Sequence, residues 1–284
     1  MNISPFLSLA CPLDGAPLQR DGSAWRCASG HCFDIAGQGY TNLLPAHQKR
    51  SRDPGDSKEM VAARRRFLSA GHYQPIAAAV SRTALTGLPP GSAVACLDAG
   101  CGEGYYLRQL ATAAIGAGQA LALLGLDISK WAVLSAAKQD RRPNWVVGSN
   151  ANLPVLPGTL DCVLCMFGFP VYREFARVLK PGGQLLQVDA GPDHLRELRE
   201  IIYPTLKAER PAGRSAPEGF TCLPGEALRF AVVLAGPEQI ADLLAMTPHL
   251  YRASAEGRAR AAALTALTVT ADIRLSRFVR DAAG

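Results

Sequence analysis

Long apolar stretches are absent from this 284-residue sequence. No run reaches the ~18 residues that a membrane-spanning helix requires, so we expect no membrane partner. The first ten residues lack a basic start, and we therefore expect no signal peptide. An internal repeat is missing as well. Because 48% of the residues are hydrophobic and 19% are charged, a disordered chain is excluded and a sizeable core is predicted.

The pattern of a disulfide framework is also missing, although the chain has eight cysteines. Three of them fall within the first 32 residues, and the other five lie mostly in apolar runs such as residues 94–98 and 162–169. Thiols in such runs behave as small hydrophobic residues. Without a signal peptide, this distribution predicts a reducing, cytoplasmic location.

The net charge is modest, at +6, but it is unevenly distributed. Residues 49–66 carry seven basic and three acidic side chains, which accounts for +4 of the total. One interpretation of such a run is the solvated face of a helix, and the other is a contact surface for a polyanion. The candidates for phosphate contacts are Lys49, Arg50, Arg52, Arg64, Arg65 and Arg66.

Changes in composition divide the chain into three regions. The first is rich in glycine, proline and cysteine and shows no helical period, so it needs a metal or a docking surface for stability. The second is a basic linker with two predicted helices, at residues 58–70 and 75–86. The three regions are residues 1–45, 46–90 and 91–284.

Short apolar runs alternate with amphipathic stretches in the third region. This alternation predicts a parallel sheet covered by helices, with a strand-rich tail that adds an antiparallel edge. The fold class is therefore α/β and Rossmann-like, with a mostly parallel sheet of seven strands. Strands are predicted at 94–98, 120–127, 145–148, 161–167, 184–189, 227–234 and 263–273, and helices at 105–117, 130–140, 173–179, 194–208 and 237–246.

A glycine-rich loop follows the first of these strands and opens a helix. It contains Gly100, Gly102 and Gly104, whose spacing differs from the Gly-x-Gly-x-x-Gly of a dinucleotide site. Asp98, just before the loop, would repel a pyrophosphate. A carboxylate at this position instead suits a ligand that has an ammonium group or hydroxyl groups.

Two later strand ends carry further candidates for the same ligand. Asp127, which is followed by Ile128, can accept both hydroxyls of a ribose, and Asn150 with Ala151 suits the edge of an adenine. This set resembles the class I S-adenosylmethionine-dependent methyltransferases over roughly residues 91–275, which implies S-adenosylmethionine as the cofactor. The alternative is a Rossmann-like domain with an incidental glycine turn.

The N-terminal region has the layout of a small zinc ribbon. Cys11, with Cys27 and His31 spaced as Cys-x3-His, supplies three of the four ligands that a tetrahedral zinc site needs. The fourth ligand is open, because Asp14 stands where a cysteine is usual and Cys32 is an adjacent alternative. A ribbon without metal, held by packing, is the competing interpretation.

Several further segments match a single family. They are His31-x-Phe33-Asp34-x-Ala36, Lys49-Arg50-Ser51-Arg52-Asp53-Pro54-Gly55-Asp56-Ser57, Ala63-Arg64-Arg65-x-Phe67-Leu68-x-x-Gly71-His72-Tyr73, Gly191-Pro192-x-His194-Leu195 and Met246-Thr247-Pro248. Over nearly its whole length the chain thus resembles the RlmA family of 23S rRNA (guanine-N1)-methyltransferases. The resemblance implies methyl transfer to N1 of a guanine in 23S rRNA (hairpin 35, guanine 745 type), and it suggests a homodimer.

The family resemblance also implies roles for individual residues. It places Tyr73 and His194 beside the cofactor, together with Glu103 and Gly104, and it makes Asp14 the fourth member of the zinc set. On composition alone, Tyr73 is a packing residue and His194 is a helix cap or a surface residue.

Three aromatic residues beyond the fourth strand are candidates for a pocket that holds the base: Phe167, Phe169 and Tyr172. Ordinary core packing is the alternative. The family usually has an Ala-Pro or Ser-Pro pair here, whereas this chain has Gly168-Phe169-Pro170. The chain lacks a Pro-Cys pair and an Asn/Asp-Pro-Pro-aromatic motif, which favours methylation of a ring nitrogen. No general base is predicted, because residues 162–172 contain no carboxylate or histidine.

Two other functions compete with this one. The first is a family member redirected to a small molecule or another RNA, which Asp14 and the change at residues 168–170 motivate. The second is a non-catalytic RNA-binding protein, against which the intact glycine loop and Asp127 argue.

Overall fold

The computed structural model describes residues 2–48, 51–86, 88, 93–206 and 216–282. The first elements are β1 (Ile3–Pro5), β2 (Gln19–Asp21), β3 (Ala24–Arg26), β4 (Cys32–Asp34), β5 (Tyr40–Asn42), a 3-10 turn (Ala46–Gln48), α1 (Lys58–Ser69) and α2 (Gln74–Leu85). They are followed by β6 (Val94–Ala99), α3 (Tyr105–Gly116), β7 (Leu121–Asp127), α4 (Lys130–Gln139), β8 (Asn144–Val147), β9 (Leu160–Met166), α5 (Tyr172–Val178) and β10 (Leu179–Ala190). The last are α6 (Arg196–Ile202), β11 (Phe220–Leu234), α7 (Pro237–Ala245), α8 (His249–Arg252), α9 (Ala255–Ala262) and β12 (Leu267–Arg280).

A nine-stranded sheet forms the centre of the protein. Its order is β11, β12, β10, β9, β6, β7, β8 and β5, with β1 beside β7. Neighbouring strands from β10 to β5 are parallel, and β12 runs antiparallel to both of its neighbours. The α/β class with an antiparallel edge is thus confirmed. Because the carboxyl ends of the parallel strands meet at one edge, that edge is the expected ligand site.

All seven predicted strands are present, but two more strands join them. β5 pairs Tyr40 with Trp145 of β8, and β1 pairs with residues 121–123 of β7, just before the part of β7 that pairs with β8. β1 has three residues, which is too short to show an alternation in the sequence, whereas β5 lies in the strand-like segment 40–44. Part of the first 45 residues therefore belongs to the main sheet, whereas β2, β3 and β4 form a separate antiparallel sheet.

Four other elements differ from their predicted lengths. β10 (Leu179–Ala190) and β12 (Leu267–Arg280) are longer than the predicted strands 184–189 and 263–273. β11 begins at Phe220 rather than at residue 227, because its outer half is mostly exposed and shows no hydrophobic alternation. α6 is shorter than the predicted helix 194–208. It starts after Leu195, which has a φ of 53°, and it ends before Tyr203, whose extended backbone precedes a proline. Residues 207 and 208 lie outside the described residues.

Within the described part of the chain, no helix combines the length and apolar character needed to cross a membrane.

Candidate functional site

The glycine-rich loop connects β6 to α3 at the carboxyl edge of the sheet. Gly100, Gly102 and Gly104 have φ angles of 92°, 55° and 83°, which residues with side chains rarely adopt. The N–H groups of Gly100 and Cys101 both donate to the carbonyl of Leu126 in β7, at 2.8 and 2.9 Å. A Cβ atom at Gly100 would meet nothing within 4 Å, so the loop is open to a ligand there.

Trp145 of β8 supports this loop from inside the protein. Its ring is fully buried, and its Nε1 donates to the carbonyl of Asp140 at 2.6 Å. A Cβ atom would lie 2.6 Å from this ring at Gly104 and 2.1 Å from it at Gly125. Both positions require glycine, because the indole occupies the space that a side chain would need.

Asp98 lies at the end of β6 and is completely buried. Neither of its carboxylate oxygens has a hydrogen-bond partner among the described residues. Burial raises the pKa of this carboxyl to about 8, and the charge of Asp127 adds to the shift. An unpartnered buried carboxylate is costly, and a ligand with an ammonium group would stabilise it. The cofactor role of Asp98 stays a prediction that this environment supports.

Asp127 accepts two backbone hydrogen bonds at the end of β7. Its Oδ2 accepts from Gly102 at 2.9 Å, and its Oδ1 accepts from Ser129 at 2.8 Å. The carboxylate thus ties the glycine loop to the start of α4, where the Ser129 side chain caps the helix. Each oxygen keeps a lone pair for a further donor, as the predicted ribose contact requires. Ile128 is half-buried beside it.

Asn150 faces the same edge from the loop after β8. Its Nδ2 donates to the carbonyls of Ala99 and Phe169, at 3.5 and 3.4 Å. Its Oδ1 is buried and has no partner among the described residues, so it is available to an amine such as that of adenine. The N–H of Ala151 donates to the side chain of Ser149 instead.

Glu103 has a structural partner on each side. Its buried Oε2 accepts from Arg108 of α3 at 2.8 Å and from Gln139 of α4 at 2.6 Å. The side chain therefore joins the loop to two helices, and its cofactor role stays a prediction.

Three aromatic rings meet beyond the carboxyl end of β9. The ring centre of Phe167 lies 6.1 Å from that of Tyr73 and 5.7 Å from that of His194. The Tyr73 and His194 centres are 6.1 Å apart. Phe167 has a φ of 52°, a conformation that costs a non-glycine residue about 1 to 3 kcal/mol and that is typical of functional sites. We call these three residues the aromatic cluster.

Hydrogen bonds fix the protonation of His194. The backbone N–H of Asp272 donates to its Nδ1 at 3.3 Å, so this nitrogen carries no proton. Burial lowers the pKa of His194 to about 4, so the neutral ring carries its proton on Nε2. Nε2 lies 3.2 Å from the hydroxyl of Tyr73. The imidazole therefore donates to Tyr73, whose own hydroxyl proton is left for another acceptor.

The structure separates the three residues predicted for the base pocket. Phe167 belongs to the aromatic cluster, and Phe169 is 88% exposed just beyond it. Tyr172 packs against Phe220 and Phe278, with ring centres 6.4 and 6.5 Å away. Tyr172 thus lies in the packing environment that was the alternative interpretation, whereas Phe167 and Phe169 remain together at the end of β9.

The predicted RNA-binding arginines are of two kinds. Arg64 and Arg66 are engaged in ion pairs within the chain. Arg52 and Arg65 are exposed, and the described residues offer them no ion pair. Phosphate contact stays a prediction for the whole set, and Arg52 and Arg65 have the free charges that it requires. Lys49 and Arg50 lie outside the described residues.

The ribbon candidates form a compact cluster of four ligands. Cys11, Asp14, Cys27 and His31 offer ligand atoms that all lie within 4.8 Å of one another. His31 Nδ1 is 3.4 Å from Cys11 Sγ, 3.3 Å from Cys27 Sγ and 3.2 Å from Asp14 Oδ2. Tetrahedral zinc bonds of about 2.0 to 2.3 Å separate neighbouring ligands by roughly 3.3 to 3.8 Å, so the cluster fits zinc. Cys32 is exposed and lies outside this cluster, so Asp14 stays the predicted fourth ligand.

Replacing Asp14 with alanine is expected to weaken zinc binding by more than the roughly 10- to 100-fold effect of removing a residue that only orients a ligand. Cys32→Ala is the matched control and is expected to keep the zinc content of the wild type. Mass spectrometry of the metal in purified protein, before and after a competing chelator, measures both. Loss of zinc from the Cys32 variant alone would reverse the assignment of the fourth ligand.

Comparisons with known proteins agree with this geometry. Residues 9–52 match the family model of the RlmA N-terminal zinc ribbon, and residues 96–183 match that of a methyltransferase domain. A Micromonospora griseorubida protein named "Putative 23S rRNA (guanine-N(1)-)-methyltransferase" is 35% identical over 95% of this chain and 96% of its own length. YxjB of Bacillus subtilis, which bears the same description, is 30% identical over 94% of this chain and 95% of its own length. A Streptomyces fradiae protein named "23S rRNA (guanine(748)-N(1))-methyltransferase" is 35% identical over 68% of this chain and 67% of its own length.

The parallel sheet, the glycine loop and the matching domain model define a class I S-adenosylmethionine-dependent methyltransferase, and a zinc-ribbon module precedes it. The end-to-end similarity then settles the family. The chain belongs to the RlmA-type 23S rRNA (guanine-N1)-methyltransferases, as its sequence motifs predicted.

Proposed function

We propose that this enzyme transfers the methyl group of S-adenosylmethionine to N1 of a guanine in 23S rRNA, in hairpin 35 and of the guanine-745 type. The observation that carries the proposal is similarity that runs through both the zinc ribbon and the methyltransferase domain to proteins named for this reaction. The Streptomyces fradiae relative is named for guanine 748, so a test must resolve neighbouring guanines.

The cleft at the sheet edge fits S-adenosylmethionine through its unpartnered polar atoms. The buried carboxylate of Asp98 suits the ammonium group, Asp127 suits the ribose hydroxyls, and the free Oδ1 of Asn150 suits the adenine amine. S-adenosylmethionine, when bound, supplies an electrophilic methyl group on a sulfonium. The protein's part is to hold the acceptor nitrogen in line with that methyl group at near-attack distance.

The acceptor base reaches the cleft past the end of β9. N1 lies on the pairing edge of guanine, so the base must be splayed from a loop or flipped out of a stem. Phe169 is 88% exposed at this point, and Phe167 is 38% exposed. A base stacked on an aromatic ring gains about 1 to 3 kcal/mol. We assign these two rings to the guanine, and Tyr73 and His194 to the wall between the guanine and the cofactor.

The RNA backbone contacts the protein outside the cleft, at the ribbon module and the basic linker. We assign residues 1–45, of which β1 and β5 also pair with the main sheet, to an RNA-binding ribbon module, residues 46–90 to a basic linker and residues 91–284 to the methyltransferase domain. Arg52 and Arg65 present exposed charges, and phosphate contacts made by such charges weaken as the salt concentration rises. A cytoplasmic location follows from the substrate, and a homodimer is proposed from the family resemblance.

Deleting the gene is expected to abolish N1-methylguanine in hairpin 35 of 23S rRNA. The N1 methyl group removes a pairing donor, so primer extension stops at the modified guanine in wild-type RNA and reads through it in the deletion strain. Complementation with the wild-type gene should restore the stop, and an Asp127→Ala gene should not. An unchanged stop in the deletion strain would contradict the rRNA assignment and favour a small-molecule or other RNA substrate.

A further inference from the structure

Two buried polar groups beside the glycine loop have no partner among the described residues: the carboxylate of Asp98 and the hydroxyl of Tyr106. Tyr106 lies in the first turn of α3, and it is 8% exposed. Burial raises the pKa of its hydroxyl, Tyr73 and Asp98 raise it further, and Arg64 opposes them. The geometry agrees, because the glycine loop connects Asp98 in β6 to Tyr106 in α3, and Arg64 Nη1 would lie 3.5 Å from a Cβ atom at Gly102 within that loop.

Arg64 reaches this place from α1. Its Nη1 pairs with the carboxylate of Asp56, and its Nη2 donates to the carbonyl of Met246 at 2.9 Å. A Cβ atom at Gly102 would lie 3.5 Å from Nη1, so the guanidinium covers the glycine loop. Arginine has five N–H donors, and these two contacts leave three of them for a ligand. The side chain is held over the cleft, whereas Arg65 projects into solvent.

Tyr73 adds a donor to the same place. Because His194 donates to the Tyr73 oxygen, the hydroxyl proton of Tyr73 must point to another acceptor. The Tyr106 hydroxyl has no partner among the described residues, so its proton is available as well. The residues around the glycine loop thus offer a guanidinium and two hydroxyl groups as donors, and the carboxylate of Asp98 as an acceptor.

We propose that Arg64, with the Tyr106 hydroxyl, binds the α-carboxylate of the methionine end of S-adenosylmethionine. The ammonium and the carboxylate of that end share one carbon atom, so the cation that pairs with the carboxylate must lie beside Asp98. Arg108 also contacts the loop, but its guanidinium is engaged with Glu103. Arg64 keeps unused donors and lies over Gly102. This inference rests on the proposed function, because it takes S-adenosylmethionine as the ligand.

The assignment moves Arg64 from the RNA surface to the cofactor cleft. The ion pair with Asp56 then has a positioning role, because it holds the Arg64 guanidinium in the orientation that binding a carboxylate requires. A ligand without the amino-acid end would make no use of Arg64.

Binding of two related ligands tests this assignment by calorimetry. S-adenosylhomocysteine has the carboxylate, and 5′-methylthioadenosine has the same nucleoside and thioether without the amino-acid end. Arg64→Met is expected to lower the affinity for S-adenosylhomocysteine by about 10- to 100-fold, because a hydrogen-bonded charge pair is lost. The affinity for 5′-methylthioadenosine should stay unchanged. Arg65→Met is the matched control, and it should change neither affinity.

A second variant guards against a purely structural effect. Tyr106→Phe keeps the buried ring and removes the hydroxyl. It is expected to lower the affinity for S-adenosylhomocysteine by about 3- to 10-fold and to leave the affinity for 5′-methylthioadenosine unchanged. If the Arg64 and Tyr106 variants weaken both ligands equally, or neither, the assignment is overturned. Wild-type protein that binds S-adenosylhomocysteine but leaves rRNA unmethylated would refute the proposed function and leave this assignment standing. Wild-type protein that does not bind it would refute both.

Discussion

Replacing Asp127 with alanine is expected to lower the affinity for S-adenosylmethionine by about 100-fold or more. Two hydrogen bonds from ribose hydroxyls to a carboxylate are worth roughly 1.5 to 3 kcal/mol each, and about 2.7 kcal/mol corresponds to that factor. The change also removes the bonds that Gly102 and Ser129 donate, which hold the loops on both sides of the cleft. Isothermal calorimetry with the purified protein measures the loss directly.

The matched control is Asp161→Ala. Asp161 also accepts a backbone hydrogen bond in the same sheet, from Ala95 at 2.9 Å, and it pairs with Lys180 at 2.7 Å. It lies near the amino end of β9, on the edge opposite the cleft. The control variant should lose a comparable number of protein contacts and keep its cofactor affinity. Equal affinities of the Asp127 variant and the wild type would reject the ribose contact.

The positions of Asp98 and Asp127, the two carboxylates predicted to contact the cofactor, could be inferred from the sequence because the patterns that indicate them are local. Asp98 and Asp127 each close a buried strand, and the glycines follow at once, so a reader of the sequence can place them at one sheet edge. Their energetic state was not predictable. Asp98 has no hydrogen-bond partner among the described residues, whereas Asp127 has two, and this difference depends on loops that the fold brings together.

The surroundings of the individual arginines in residues 49–66 could not be inferred from the number of charges in that segment. Three consecutive arginines on a helix point about 100° apart, so they face three different surroundings. Arg64 lies over the glycine loop, Arg66 pairs with Asp242 of α7, and Arg65 alone of the three has no ion pair within the described part of the chain. The partners Asp242 and Met246 are more than 170 residues away in sequence, which no local pattern reveals.

The different surroundings of the aromatic residues after β9 could not be inferred from the sequence either. Phe167 and Tyr172 are five residues apart, yet one faces Tyr73 and the other packs against Phe278. The left-handed backbone at Phe167 causes the turn that separates them, and nothing in an apolar run predicts a positive φ at a phenylalanine.

Gly125→Ala is expected to destabilise the protein by about 3 kcal/mol or more, at the upper end for an overpacked core. The new Cβ atom would lie 2.1 Å from the Trp145 ring, which is fully buried and has no room to move. Since the same ring also lies under Gly104, its displacement should disturb the glycine loop as well. Urea denaturation gives the free energy of unfolding, and S-adenosylhomocysteine binding reports on the loop.

A double-mutant cycle separates this clash from a general effect of the substitution. In a Trp145→Leu background the ring is gone, so Gly125→Ala should cost less than about 1 kcal/mol, a coupling of roughly 2 kcal/mol between the two sites. Gly116→Ala, at the end of α3 with nothing within 4 Å of the added Cβ, is the matched control and should be neutral or stabilise by up to about 1 kcal/mol. An equal cost of Gly125→Ala in both backgrounds would mean that Trp145 does not require the glycine. If Gly125→Ala lowers both the stability and the affinity for S-adenosylhomocysteine, and the Trp145→Leu background reduces both effects, the buried indole supports the glycine loop.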